Sequence, residues 1–309
     1  MRAFQERYIN PLTDFGFKKL FGSEANKELL IHFLNQLLPQ NHQIKDLTFA
    51  KNELLGIQDL DRKAIFDIYC VGESGERFIV ELQKAKQNYF KDRSIYYASF
   101  PIQEQAKKGN WDYQLERIYT VGILDFIFDD HKEDSEFYHL VELKDQRCEV
   151  FYDKLKFIYI ELPKFSKSLE ELESDFERWL YVFRFLPTFQ DQPDLLQGSV
   201  FQKLFEEAEI ARYPQEERSA YEESLKYYRD IKNVVDTAWD EGKELGLEEG
   251  EKIGMEKGEQ IGMEKGITLV LKILSLYESG SSPTHIAQRL HLSEASVMDI
   301  LKEAGKAQN

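Results

Sequence analysis

Two short apolar runs joined by a turn signal constrain this chain more than any other feature. AIFDIYCV (64–71) and ERFIVELQ (76–83) flank GESG (72–75). Alternating strand-like runs around a glycine-containing loop predict a β-hairpin. Residues two apart on a strand share a face, so Phe78, Val80 and Leu82 face a core while Glu81 and Gln83 point the other way. With GESG as the loop, Asp67 falls opposite the region of Val80 and Glu81, as a cross-strand or diagonal neighbour. Two strands that look buried therefore each deliver a carboxylate to the same place.

The surrounding pattern is that of a mixed α/β domain. Before the hairpin, Phe15, Phe17 and Phe21 surround Lys18 and Lys19, and Ser23 is placed to cap a helix carrying Leu29, Leu30, Phe33, Leu34, Leu37 and Leu38 at helical spacing. Pro39 stops it. After the hairpin the period changes, and KAKQNYFKDRSIYYASFPIQEQAKKG reads as a helix with Phe90, Ile95, Tyr97 and Ala98 among its core positions and a kink or break at Pro101. RIYTVGILDFIF, EFYHLVELKD and KLKFIYIEL are three further strands. Ser168 and Glu171 form a capping box ahead of LEELESDFERWLYVFRFL. The core is expected to span residues 1–190, followed by a polar helical connector over 191–240.

Two carboxylates close together repel each other and raise one pKa unless a cation lies between them. A hard divalent ion with oxygen ligands, Mg²⁺ or its substitute Mn²⁺, meets that need and is the ion that handles phosphodiesters. Solvated acids on a strand face are the plain alternative, since the chain has 56 acidic residues. Its net charge of −16 argues against a general polyanion binder. Charge is local, however: Lys84, Lys86, Lys91, Arg93, Lys107 and Lys108 face only Asp92 and Glu104 between residues 84 and 108. That segment is where a phosphate backbone would lie. Arg93 and Tyr97 are four apart and share a helix face. No CxxC, HExxH, P-loop or GxGxxG is present, and the six scattered histidines suggest no zinc site. Cys70 and Cys148 lie in strand-like runs and read as small buried hydrophobes of a reducing, cytoplasmic compartment. The apolar runs are too short to span a bilayer.

TDFGFKKLFGSEANKELLIHFLNQLL, DRKAIFDIYC…GERFIVELQKAKQNYFKDRSIYYAS and IYTVGILDFIF, taken in order over roughly residues 8–190, resemble the PD-(D/E)XK nuclease family transposases, also called recombination-promoting nucleases. The resemblance implies a restriction-endonuclease-like mixed sheet flanked by helices, and Mg²⁺-dependent DNA endonuclease activity linked to recombination or transposition. By position it makes Asp67 and Glu81 the metal ligands and Gln83 the third catalytic residue. Lys84, Lys86, Lys91, Arg93 and Tyr97 become the DNA-binding set. The third position is usually Lys across the wider superfamily; Gln can orient a water but supplies it no charge. Asp14, in the matching N-terminal motif, reads as a helix-entry cap or as an accessory acid facing the same cleft, with the cap the simpler reading. The rivals are a catalytically weak member that binds DNA or protein, and an assembly protein acting through the C-terminal region.

That region is all-helical in pattern. Glycines recur at 242, 246, 250, 254, 258, 262 and 266. Seven helical glycines cost roughly 6–7 kcal/mol relative to alanine. The flanking Glu, Lys, Met, Leu and Ile are helix formers, not flexible-linker residues. Close approach of a second helix would offset the cost, so residues 241–266 are expected to make a homo-oligomer. Residues 267–309 have helix-turn-helix spacing, with Leu292 and Ser293 in the turn. Their four basic and four acidic side chains make a poor footprint for DNA, and protein contact fits at least as well.

Overall fold

The computed structural model describes residues 6–54, 64–106 and 111–306. Lys107 and Lys108 of the basic segment lie outside them. The strands are β1 (Leu47–Phe49), β2 (Glu53–Leu54), β3 (Ala64–Ile65), β4 (Ile68–Gly72), β5 (Arg77–Gln83), β6 (Ile118–Leu124), β7 (Tyr138–Lys144) and β8 (Val150–Glu161). The helices are α1 (Asp14–Phe21), α2 (Lys27–Leu37), α3 (Phe90–Glu104), α4 (Asp175–Phe185), α5 (Ser199–Ala208), α6 (Gln215–Glu278), α7 (Pro283–Leu290) and α8 (Glu294–Glu303).

Six strands form one mixed sheet in the order β1-β4-β5-β6-β8-β7, with β5, β6 and β8 parallel and the other pairings antiparallel. β2 and β3 make a separate antiparallel pair. The β4–β5 hairpin closes as expected. Gly72 N–H bonds to Glu76 O at 2.8 Å, and Gly75 has φ +90°, a conformation that costs glycine little. The parallel step from β5 to β6 needs a crossover, and α3 supplies it. β6 is buried along its whole length, as suits a strand covered on both faces.

The two faces carry separate cores. On one, Phe78, Val80, Leu82, Val121 and Ile158 pack with Phe17 and Phe21 of α1, Phe33 of α2, and Trp179 and Phe183 of α4. On the other, α3 covers the sheet: Phe90 and Ala98 join Leu124, Phe157 and Tyr159, while Phe100 joins Phe66, Tyr69 and Ile79. Glu81 and Gln83 share the Ile79 face, as the alternation requires.

Several local expectations shift. α3 begins at Phe90, so Lys84 and Lys86 lie in the loop before it; Tyr89, at φ 61°, turns the chain into the helix. Pro101 lies inside this helix, near its end. Ile95 is exposed because the buried stripe runs through Phe90, Ser94, Ala98 and Pro101, one position away. The Ser168–Glu171 capping box forms, but around a 3₁₀ turn; Ser174 caps α4 instead, accepting from Glu177 N–H. Ser23 makes no side-chain cap bond. Cys148 is exposed at the β7–β8 turn, with φ 63°, while Cys70 is buried as expected.

The first compact unit runs to Val235, past residue 190, where the sequence pattern places the end of the core. Phe201, Leu204 and Phe205 of α5, and Tyr221, Leu225 and Tyr228 of α6, are buried in the α1–α2–α4 core. The second unit, Asp236–Asn309, contains the glycine ladder within α6, where none of the seven glycines has a neighbour within 4 Å of the space a Cβ would take. Leu245, Leu247, Ile253, Met255, Ile261 and Met263 beside them are exposed. Ile273, Ile286, Ala287, Val297 and Leu301 form this unit's own small core, with His291 to Ser293 turning α7 into α8. Among the described residues no helix is long and apolar enough to cross a membrane.

Candidate active site

The hairpin register pairs Ile68 with Val80, which puts Asp67, one residue earlier, directly across from Glu81. The two acids brace each other's strand. Leu82 N–H donates to Asp67 Oδ2 at 2.7 Å, and Asp67 N–H donates to Glu81 Oε1 at 3.2 Å. Gln83 Nε2 lies 3.5 Å from Glu81 Oε2, at the outer limit of a hydrogen bond. The three residues that the sequence groups together are therefore together in space.

Burial and mutual repulsion dominate their electrostatics. Glu81 is only 6% exposed, and burial, followed by the Asp67 charge, pushes its pKa up to about 8. Burial also lifts Asp67 above the usual range; the Leu82 N–H opposes this and the Asp14 charge adds to it. Among the described residues neither acid forms an ion pair with a lysine or arginine. Arg93 opposes the rise at Glu81, and Lys18 and Lys84 oppose it at Asp67, but none of them neutralises the pair; a buried carboxylate pair of this kind fits a hard divalent ion with oxygen ligands. Gly122 on β6 stands beside Glu81 in the ladder, and a Cβ there would come 3.1 Å from Tyr159 and 3.6 Å from Phe90.

Asp67, Gln83 and Lys84 open onto a cavity of about 190 Å³ lined also by Asp14, Phe17, Gln87, Tyr227 and Ile231. Asp14 is not the helix cap. Thr13 takes that place, its Oγ1 accepting from Gly16 N–H at 2.9 Å, which leaves Asp14 on the cavity wall, paired with Lys18 at 3.0 Å. Lys84 lies over the Tyr227 ring at 5.5 Å, and burial draws its pKa down while Asp14 and Asp67 oppose that. Tyr227 and Ile231 were hidden from sequence reasoning because they belong to α6, which the polar pattern assigns to a connector.

The remaining basic residues separate. Arg93 bonds to Gln87 and lies over the rings of Phe90 and Tyr97 at 5.2 and 5.6 Å. Its Nη2 is shielded yet has no hydrogen-bond partner among the described residues. Tyr97 packs edge-on against Phe66 at 5.3 Å. Lys86 and Lys91 turn toward an acidic 3₁₀ turn after β6, pairing with Asp129 and, at 2.7 Å, with Asp130. Those aspartates neutralise part of the patch expected to be free.

A second constellation lies at the carboxyl end of β8. Glu161 is fully buried between His131, His139 and Lys164. The histidines that look scattered in sequence thus include two whose ring centroids are 4.2 Å apart.

No curated protein and no solved structure matches the chain significantly. A family model does match, over residues 11–238, which takes in the whole sheet, the hairpin acids and the start of α6. With a mixed six-stranded sheet, flanking helices and that match over most of its length, the chain belongs to the PD-(D/E)XK nuclease family transposases.

Proposed function

We propose that this protein is a divalent-metal-dependent DNA endonuclease, acting in recombination or transposition, with Asp67 and Glu81 as metal ligands. One observation carries the reading: two acids directly opposed across a hairpin, buried and without an ion-pair partner among the described residues, in a family of nucleases. Mg²⁺, or Mn²⁺ in its place, when bound there would neutralise phosphate charge and lower the pKa of water. The rest is work for side chains. The Leu82 N–H fixes one oxygen of Asp67, and the Asp67 N–H fixes one oxygen of Glu81, so the ligands are held by the sheet itself. The Gln83 amide orients the attacking water but cannot stabilise it by charge. Lys84, at the cavity wall, and Arg93, with a free donor, are suited to hold phosphate oxygens. Lys86, Lys91 and Tyr97 extend the same DNA contact, the two lysines after exchanging Asp129 and Asp130 for phosphate. Asp14 serves as an accessory acid on the cavity wall.

Residues 241–266 are assigned to self-association, supported by open glycines flanked by exposed Leu, Ile and Met on a continuous helix. In the tail, 267–309, the balance of four basic and four acidic side chains favours protein contact at least as much as DNA. Buried Cys70, its thiol pushed up to about 12 by burial, fits a reducing cytoplasm.

The test is cleavage of supercoiled plasmid in Mg²⁺, run beside EDTA and the Asp67→Ala protein. Nicking that disappears in both controls supports the reading. Absence of cutting in Mg²⁺ and Mn²⁺, or equal cutting by Asp67→Ala, replaces it with the binding-only reading, which Gln83 in the usual lysine position favours.

A further inference from the structure

Three elements converge on Glu161. His139 comes from β7, His131 from the 3₁₀ turn after β6, and Lys164 from the turn that follows β8. His139 Nε2 lies 3.2 Å from Glu161 Oε2, and His131 Nδ1 lies 3.3 Å from Oε1. Phe128 N–H donates to Oε1 at 2.7 Å, and Lys164 Nζ stands 2.8 Å from Oε2.

Two features do not belong to a simple buried ion pair. First, His131 Nδ1 is shielded from solvent and has no hydrogen bond among the described residues; its approach to Glu161 is close but misaligned. A buried nitrogen of that kind normally finds a partner. Second, the spacing has the scale of a coordination polyhedron. Nitrogen and oxygen ligands about 2.0–2.1 Å from a tetrahedral ion lie about 3.3 Å from one another. One ligand atom from each of His131, His139 and Glu161 falls within 4.8 Å of the other two. The other nitrogen of His131 faces Asp130 Oδ2 at 3.9 Å, resembling the outer carboxylate that ligating histidines commonly keep.

We infer that His131, His139 and Glu161 form a second metal site, selective for a borderline transition ion such as Zn²⁺. The two-imidazole, one-carboxylate donor set separates it from the all-oxygen hairpin site. Lys164 occupies part of the space in the metal-free protein and has a second partner, Asp134, to retain when an ion enters. The site ties the edge strand β7 and the 129–131 turn to the end of β8. That same turn holds Lys86 and Lys91, so filling the site fixes the aspartates that compete for those lysines. The inference stands whether or not the hairpin acids cut DNA.

The test is Co²⁺ titration of the full chain with Mg²⁺ in excess, read by the visible absorption of four-coordinate cobalt. One equivalent is expected to give that spectrum. His131→Ala and His139→Ala, each on the surface-facing side of the cluster, should weaken binding at least about tenfold, and Asp67→Ala should leave it unchanged. Lys164→Met should bind Co²⁺ more tightly than the parent, because the competing ammonium is gone; this arm reads in the opposite direction and cannot be mimicked by misfolding. Absence of the spectrum, its persistence in both histidine variants, or its loss in Asp67→Ala would overturn the assignment.

Discussion

Glu81 and Glu161 stand at the carboxyl ends of two parallel strands of one sheet, and both are buried, at 6% and 0% exposure. Their charge states diverge. Glu81 has a second acid for a neighbour, and its pKa rises to about 8. Burial pushes Glu161 up too, but Lys164, the Phe128 N–H and His139 outweigh it and hold the carboxyl below its usual range. Burial therefore does not decide what a carboxylate is for; the partners do. Glu161 has a resident ammonium, Lys164, that holds its charge when no ion is bound. Among the described residues Glu81 has hydrogen bonds only from the Asp67 N–H and Gln83, and no ammonium or guanidinium pairs with it.

The largest effect that would break this contrast is catalytic. If the hairpin acids alone support cutting, Asp67→Ala should lose at least about 10²-fold in plasmid nicking, a metal ligand being worth several kcal/mol in the transition state. His139→Ala should stay within about twofold; comparable losses in both would erase the distinction. Next in size is stability. Lys164→Ala strands a buried charge and should cost about 3–5 kcal/mol in urea unfolding, whereas Glu81→Gln should cost nothing in metal-free buffer. A smaller effect is the pH dependence of that metal-free protein. The pKa of Glu81 is higher folded, at about 8, than its ordinary 4.5, so the folded state binds more protons between those values. Stability is then full below pH 4.5, declines by up to about 1.4 kcal/mol per pH unit as pH rises toward 8, and levels off above it. Glu81→Gln should flatten most of that slope, and an unchanged slope would assign it elsewhere. The smallest effect concerns the glycine ladder. Gly254→Ala meets open space in the single chain and should add about 1 kcal/mol of helix stability. If residues 241–266 pair with a second copy, it should instead dissociate the oligomer in sedimentation, and an oligomer that is unaffected removes the glycines from the interface.

The first acid cluster was legible in the sequence and the second was not. GESG and the alternation around it set the register that puts Asp67 across from Glu81, and periodicity alone placed Phe78, Val80 and Leu82 in the core. His131, His139 and Glu161 meet only because β7 folds back on β8, across a bulge that no short-range signal marks. α5 and the start of α6 joined the core unannounced because a helix burying one stripe still reads as polar overall. Asp14 lost its capping role to Thr13, the residue before it, since either type can cap and spacing does not choose.

The reciprocal amide bonds of Asp67 and Glu81 also bear on the order of assembly. The two acids are 14 residues apart, joined by a hairpin of the kind that closes in about 1–10 μs. Hairpin closure alone sets their pairing, ahead of the longer-range contacts that bring β6, β8 and β7 alongside. On that order the two acids are set opposite each other before most of the sheet exists, and later folding serves to bury them.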